Sequence, residues 1–375
     1  MDFDLTNEQQ MLKDSAQRYI REKYDFDSRR ALAAGEQGWS AAHWSAFADL
    51  GWLALSLPED AGGLAFPFTD TCLLTEAFGR GLVLEPYTST VILCGHILDA
   101  SGNVETRESV LAAIGAGEAK LALAHDEPGI RHQRQKAMTR AKSTASGYVL
   151  DGAKTMAFDA PAADHFILSA TLDDGDFALF LVDAGLAALH LKPYRLIDGT
   201  RAADFEFNGL ELEKSALLHR GHDATQALEA ALDRAVLAQA AESLGVMQAV
   251  LQVTSDYIKT RVQFGQPIGK FQALQHKMAE MFTETQSARS IIYHGLASIA
   301  ADPEKRAAAT SAAKVGVAAA GFFVGSQGIQ LHGGMGMTDE YAVGHYFKRL
   351  VALEKAYGDS AWHLARYTKL RAGQD

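Results

Sequence analysis

The sequence predicts an α+β fold in three parts: a helical N-terminal domain over residues 1–120, a small β-barrel or sandwich over 121–220, and a C-terminal four-helix bundle over 221–375. Three observations carry this. Apolar residues recur at helical spacing up to about residue 118. From Leu121 to Leu217 the apolar runs are short and rich in strand formers. From Thr225 onward the pattern is helical again, in four long stretches with short connections, as in an antiparallel bundle.

In chain order, Thr6 followed by Gln9 is a capping box that starts the first helix. Residues 40–50 carry an apolar stripe of Trp44, Phe47 and Leu50, and residues 70–78 and 91–98 carry two more. Pro58, Gly62, Gly63 and Pro67 mark an intervening loop. Residues 106–116 form the last helix of this part, with Gly117 as its stop. Strands are expected at 121–124, 148–150, 166–169, 177–182 and 204–207, with turns at Asp151-Gly152 and Asp174-Gly175. The bundle helices are expected near 225–263, 270–300, 304–331 and 339–370.

Composition narrows the function. A net charge of −11 argues against sequence-independent nucleic-acid binding, which needs a basic footprint. Cys72 and Cys94 lie in apolar helical patterns and read as buried free thiols in a reducing compartment. The N-terminus MDFDLTNEQQ is too polar for a signal peptide, and no uninterrupted apolar run reaches 18 residues, so no membrane span is expected and the cytoplasm is the expected location. His125, His132, His165 and His190 show no metal-ligand spacing, so no metal site is expected. The run Arg131, Arg134, Lys136, Arg140 and Lys142 reads as a solvated basic segment.

The chain is organised around residues 261–281, RVQFGQPIGKFQALQHKMAEM. Gly265-Gln266-Pro267 breaks one helical pattern before another begins. Arg261 and Gln272 bracket this turn, and guanidinium at a helix junction suits a phosphate-bearing ligand. The other reading is a solvated helix corner. A second block, Gln327 to Gly336, reads QGIQLHGGMG; its glycines allow close approach of a ligand to the backbone.

These two blocks resemble the paired signatures of the acyl-CoA dehydrogenase family, in the family's order and spacing. The resemblance implies that fold, FAD as cofactor and an acyl-CoA thioester as substrate. It also implies that Arg261, Phe264, Gln272, Gln330, Gly333 and Gly334 contact the ADP half of a neighbouring subunit's FAD. In the family a carboxylate removes the α-proton while the flavin takes a hydride from the β-carbon.

The base does not appear where the resemblance puts it. One family position falls on Tyr357, followed by Gly358, and a phenol is a poor base at neutral pH. The other falls on Ala235; Asp233, two residues away, lies about 200° around a helix. Asp359 and Glu242 are further candidates, each with an ordinary structural reading, so the catalytic residue stays unassigned. The family's T-E-P-G…G-S-D strand reads here from Asp126 to His132 as DEPGIRH, and Met156 and Phe158 replace a tryptophan and a threonine over the flavin ring.

Contacts to the chain's own flavin are thus degraded while contacts offered to a neighbour's are intact. That pattern resembles the accessory chain of heteromeric bacterial steroid side-chain enzymes, heterodimers or α2β2 tetramers that pass electrons to a separate acceptor. Three alternatives stand beside it: a self-sufficient homo-oligomer with Asp233 or Asp359 as base, a flavin monooxygenase, and a non-catalytic acyl-CoA binder. In any assembly the first two bundle helices are expected to meet another bundle through Val250, Phe271 and Met278.

Overall fold

In the computed structural model, which describes residues 5–372, Thr6 opens the first helix through the expected capping box: its hydroxyl accepts the Gln9 N–H, and the Gln9 side chain returns to the Thr6 N–H. Helices α1 (Asn7–Lys23), α2 (Phe26–Ala34), α3 (Ala41–Asp49) and α4 (Phe68–Gly81) follow, then a π-helical turn Thr88–Cys94 that runs into α5 (Gly95–Asp99), then α6 (Val104–Gly115). Eight strands come next: β1 (Leu121–Ala124), β2 (Arg140–Ser143), β3 (Gly147–Phe158), β4 (His165–Leu172), β5 (Phe177–Asp183), β6 (His190–Arg195), β7 (Arg201–Glu213) and β8 (Leu217–Arg220). The remainder is α7 (Gly221–Thr260), the short pair β9 (Val262–Gln263) and β10 (Gln266–Pro267), then α8 (Gln272–Ala297), α9 (Pro303–His332), α10 (Ala342–Lys355) and α11 (Ser360–Ala372).

Two compact units share this chain, and they cut across the sequence. One holds residues 31–67 and 84–235. Its strands run in the order β6-β7-β3-β2-β4-β5-β8, with β1 parallel to the first half of β4 and β2 parallel to its end. Phe166, Phe180 and Phe205 fill the core between them, and Phe166 meets Phe205 edge-on at 4.7 Å. The Thr90 hydroxyl accepts the Leu121 N–H at 3.0 Å and donates to the Leu121 carbonyl at 3.1 Å, which docks the π-helical turn on β1.

The other unit holds residues 5–30, 68–83 and 236–372. Within it α9 packs on α8, α10 and α11, and α1 packs on α4. Helices α4 and α7 touch backbone to backbone: a Cβ on Gly79 would lie 2.0 Å from the Glu242 carbonyl oxygen, and one on Gly245 would lie 1.8 Å from that of Glu76. Among the described residues two helices, Gly221–Thr260 and the segment Pro303–Met337, are apolar and long enough for a membrane, yet 78% and 56% of their most apolar windows are buried inside the protein. A helix that is apolar nearly all round suits a bundle core.

The structure changes some expectations. The single helix expected over 339–370 is two, α10 and α11, because Tyr357 and Gly358 both take positive φ, +55° and +108°. Val250 is fully buried in the chain's own core, against the Gly328 backbone, so it offers no surface to a second bundle. Cys72 and Cys94 are both free and buried, and burial pushes both thiols well above their ordinary range.

Candidate functional site

The α7–α8 junction is a tight hairpin. Gln263 pairs with Gln266 and Val262 with Pro267, which leaves Phe264 and Gly265 as the two loop residues. Their φ values, +51° and +79°, are those a type I′ turn requires. The Arg261 N–H bonds the Tyr257 carbonyl at 2.8 Å, and the Ile268 N–H closes back on the Arg261 carbonyl at 2.8 Å. The turn throws the Phe264 ring into solvent, 91% exposed, with the Phe271 ring edge-on behind it.

The second block comes to the same end of the bundle. Tyr257, one helical turn before Arg261, packs on the His332 ring with centroids 4.5 Å apart, and His332 meets Tyr341 at 4.9 Å. The His332 Nδ1 holds the Gly328 carbonyl at 2.7 Å, and burial lowers its pKa. Gly333 and Gly334 follow directly and are open: a Cβ on either would meet nothing within 4 Å. Arg261, Gln272 and Gln330 are exposed, and among the described residues their side chains make no hydrogen bond or ion pair. Gln272 is the first residue of α8, where free N–H groups and the helix dipole favour an anion. Unpaired donors, open glycines and an exposed aromatic ring on one surface fit a phosphate-bearing ligand such as FAD.

The half that would hold the chain's own flavin ring does not fit as well. Asp126 places a carboxylate where the family has a hydroxyl; it accepts the His132 N–H at 3.3 Å. The loop behind it is clamped by ionic groups. Glu127 accepts from Lys154 Nζ at 2.6 Å and from the Thr139 N–H at 3.0 Å, and it also bonds the Met138 N–H. Lys154 is fully buried; burial pulls its ammonium down to about 8 although Glu127 opposes this. Met156 sits at φ +51°, 39% exposed, and neither it nor Phe158 carries a side-chain donor.

Each candidate base has another occupation. Asp233 is fully buried and pairs with Arg134, Nη1 to Oδ1 at 2.9 Å. Arg134 therefore does not belong to a solvated basic run; it is 6% exposed, and Gln135 beside it reaches Glu229 one helical turn away at 3.0 Å. Glu242 pairs with Arg349 at 2.6 Å. Asp359 accepts the Trp362 N–H at 3.0 Å as the start of α11. Ala235 is buried and carries no titratable group. Tyr357 occupies a turn clamped by Lys314, which donates to the carbonyls of Leu353 at 2.5 Å and Ala356 at 2.8 Å, and by His363 Nε2 at 3.3 Å from the Tyr357 carbonyl.

Bound FAD would supply the hydride acceptor; Asp233, Glu242 and Asp359 each already hold a hydrogen bond or ion pair.

Comparisons agree with the fold. Residues 6–118 match the family model described as acyl-CoA dehydrogenase, N-terminal domain, and residues 224–369 match acyl-CoA dehydrogenase, C-terminal domain. The chain is 27% identical to acyl-CoA dehydrogenase FadE27 of Mycobacterium tuberculosis, over 98% of this chain and 97% of the relative. It is 29% identical to the mitochondrial isovaleryl-CoA dehydrogenase of Solanum tuberosum, over 84% of this chain and 79% of the relative. Among solved structures, the ChsE4-ChsE5 complex of Mycobacterium tuberculosis superposes with a TM-score of 0.90 at 27% identity, covering 99% of both chains. A variant of the Tcur3481-Tcur3483 steroid ACAD gives 0.88 at 27%, covering 98% of both. The chain belongs to the acyl-CoA dehydrogenase family, FAD-dependent oxidoreductases that act on the CH–CH bond of acyl-CoA thioesters.

Proposed function

We propose that this chain is the accessory subunit of a heteromeric acyl-CoA dehydrogenase. It offers Arg261, Phe264, Gln272, Gln330, Gly333 and Gly334 to the FAD of a related partner chain, which carries the base. The observation that carries this reading is the commitment of every candidate carboxylate: Asp233 to Arg134, Glu242 to Arg349 and Asp359 to the α11 start. A general base must reach the substrate proton with a free lone pair, whereas Asp233 is fully buried with its Oδ1 bonded to Arg134. The open, unpaired donors at the α7–α8 turn support the lending role.

The assembly is a heterodimer or α2β2 tetramer in the cytoplasm that hands electrons to a separate acceptor. The substrate class is a bulky acyl-CoA of the steroid side-chain kind. The likeness to the Tcur3481-Tcur3483 steroid ACAD and to the two-protein ChsE4-ChsE5 complex supports the heteromeric assembly and the substrate class. The test is the visible spectrum of the purified chain. Alone it should lack flavin; co-purified with a partner that has an intact base, the complex should carry fewer flavins than chains. One flavin per chain in the isolated protein, with turnover of acyl-CoA, would overturn the reading.

A further inference from the structure

Gln239 of α7 lies inside the bundle, 7% exposed, and its Oε1 has no hydrogen-bond partner. Buried acceptors of this kind are satisfied in native proteins by protein groups or by ordered water. The side chain borders a cavity of about 10 Å³ between α7, α9 and α10, which Ser243, Lys314 and Glu354 also line. That is about the space one water needs. The Ser243 hydroxyl donates to the Gln239 carbonyl at 2.8 Å, which leaves its lone pairs to accept. Val317 and Leu350 form apolar walls, so the space is polar where a water would bond and apolar elsewhere.

We propose that the bundle core binds a single ordered water here, donating to Gln239 Oε1 and to the Glu354 carboxylate. The water links α7 to the end of α10, next to the carbonyls of Leu353 and Ala356 that Lys314 holds. It thereby positions the helix end that leads into the Tyr357 turn. An anion would be larger than the space and would face Glu354, and an apolar ligand would leave Gln239 dry. The inference does not depend on the accessory role, since a catalytic chain with these residues would hold the same water.

A high-resolution crystal structure of the full chain tests it. The expected result is one spherical density peak about 2.7–3.2 Å from Gln239 Oε1, absent in Gln239→Met. An empty cavity, a Gln239 amide turned onto a protein atom, or density too large for water would each overturn it. So would a peak that persists unmoved in Gln239→Met, because Gln239 would then not be its anchor. Should that variant fail to fold, the density in the unaltered chain decides alone.

Discussion

Arg134 Nη1 lies 2.9 Å from Asp233 Oδ1, and the two side chains, 99 residues apart in sequence, are 5% and 0% exposed. The pair joins the loop after β1 to the first third of α7. Arg134→Met should destabilise the protein by about 3–5 kcal/mol, because Asp233 keeps a buried charge without its guanidinium. Arg134→Met with Asp233→Leu should recover most of that loss. Denaturant unfolding of both variants checks this; equal stabilities would show the pair to be unimportant.

Gly245 permits the contact between α4 and α7. Gly245→Ala would place a Cβ 1.8 Å from the Glu76 carbonyl oxygen, which neither backbone can avoid without moving. A loss of about 1–3 kcal/mol or more is expected, despite the better helix propensity of alanine. The thermal midpoint should fall; a rise would mean that the helices part at little cost.

Glu354 predicts an acid-sensitive turn. Burial alone would push its carboxyl up, but hydrogen bonds from Lys355 and Ser360 outweigh that and hold it at about 2, against an ordinary 4.5. A depressed carboxyl adds stability that is fully present above the unfolded value and is lost as protons bind. Stability should therefore fall as pH drops from 4.5 towards 2, and Glu354→Gln should flatten that dependence. Unfolding midpoints across this window test it, and identical slopes for both proteins would contradict it.

Gly358 has φ +108°, and a Cβ there would come 2.8 Å from His363 Nε2 and from the Trp362 ring. Gly358→Ala should cost about 1–3 kcal/mol through strain and loosen the start of α11. Hydrogen exchange at the His363 N–H, which bonds the Asp359 carbonyl at 3.0 Å, should quicken. Unchanged exchange would place the strain elsewhere.

Helices with caps and one apolar face were legible from the sequence: Thr6 with Gln9 caps α1 as read, and Trp44 and Phe47 of the α3 stripe are buried, though Leu50 ends that helix 44% exposed. Strands buried on both faces, such as Leu121–Ala124, were equally plain. Strands β2 and β6 were not, because only Ala141 is buried in β2 and no residue of β6 is. Without alternation there is no period to detect. The break at Tyr357 was missed because a tyrosine seldom adopts positive φ, and nothing local announces that Lys314 and His363 hold it there. The exposed signature was legible as contiguous motif residues. The Arg134–Asp233 pair was not, since each residue looks solvated until the fold joins them.

The lending of Arg261 to another chain's cofactor is the central claim. In the co-purified complex Arg261→Ala removes a charge-assisted donor worth roughly 1.5–3 kcal/mol, so flavin affinity should fall about ten- to a hundredfold. Asp233→Asn and Tyr357→Phe should retain flavin and turnover in whatever protein folds. The flavin-to-protein ratio at limiting FAD measures this directly. Depressed occupancy in Arg261→Ala alone agrees with the account; normal flavin binding in Arg261→Ala, with turnover abolished by Asp233→Asn, would contradict it.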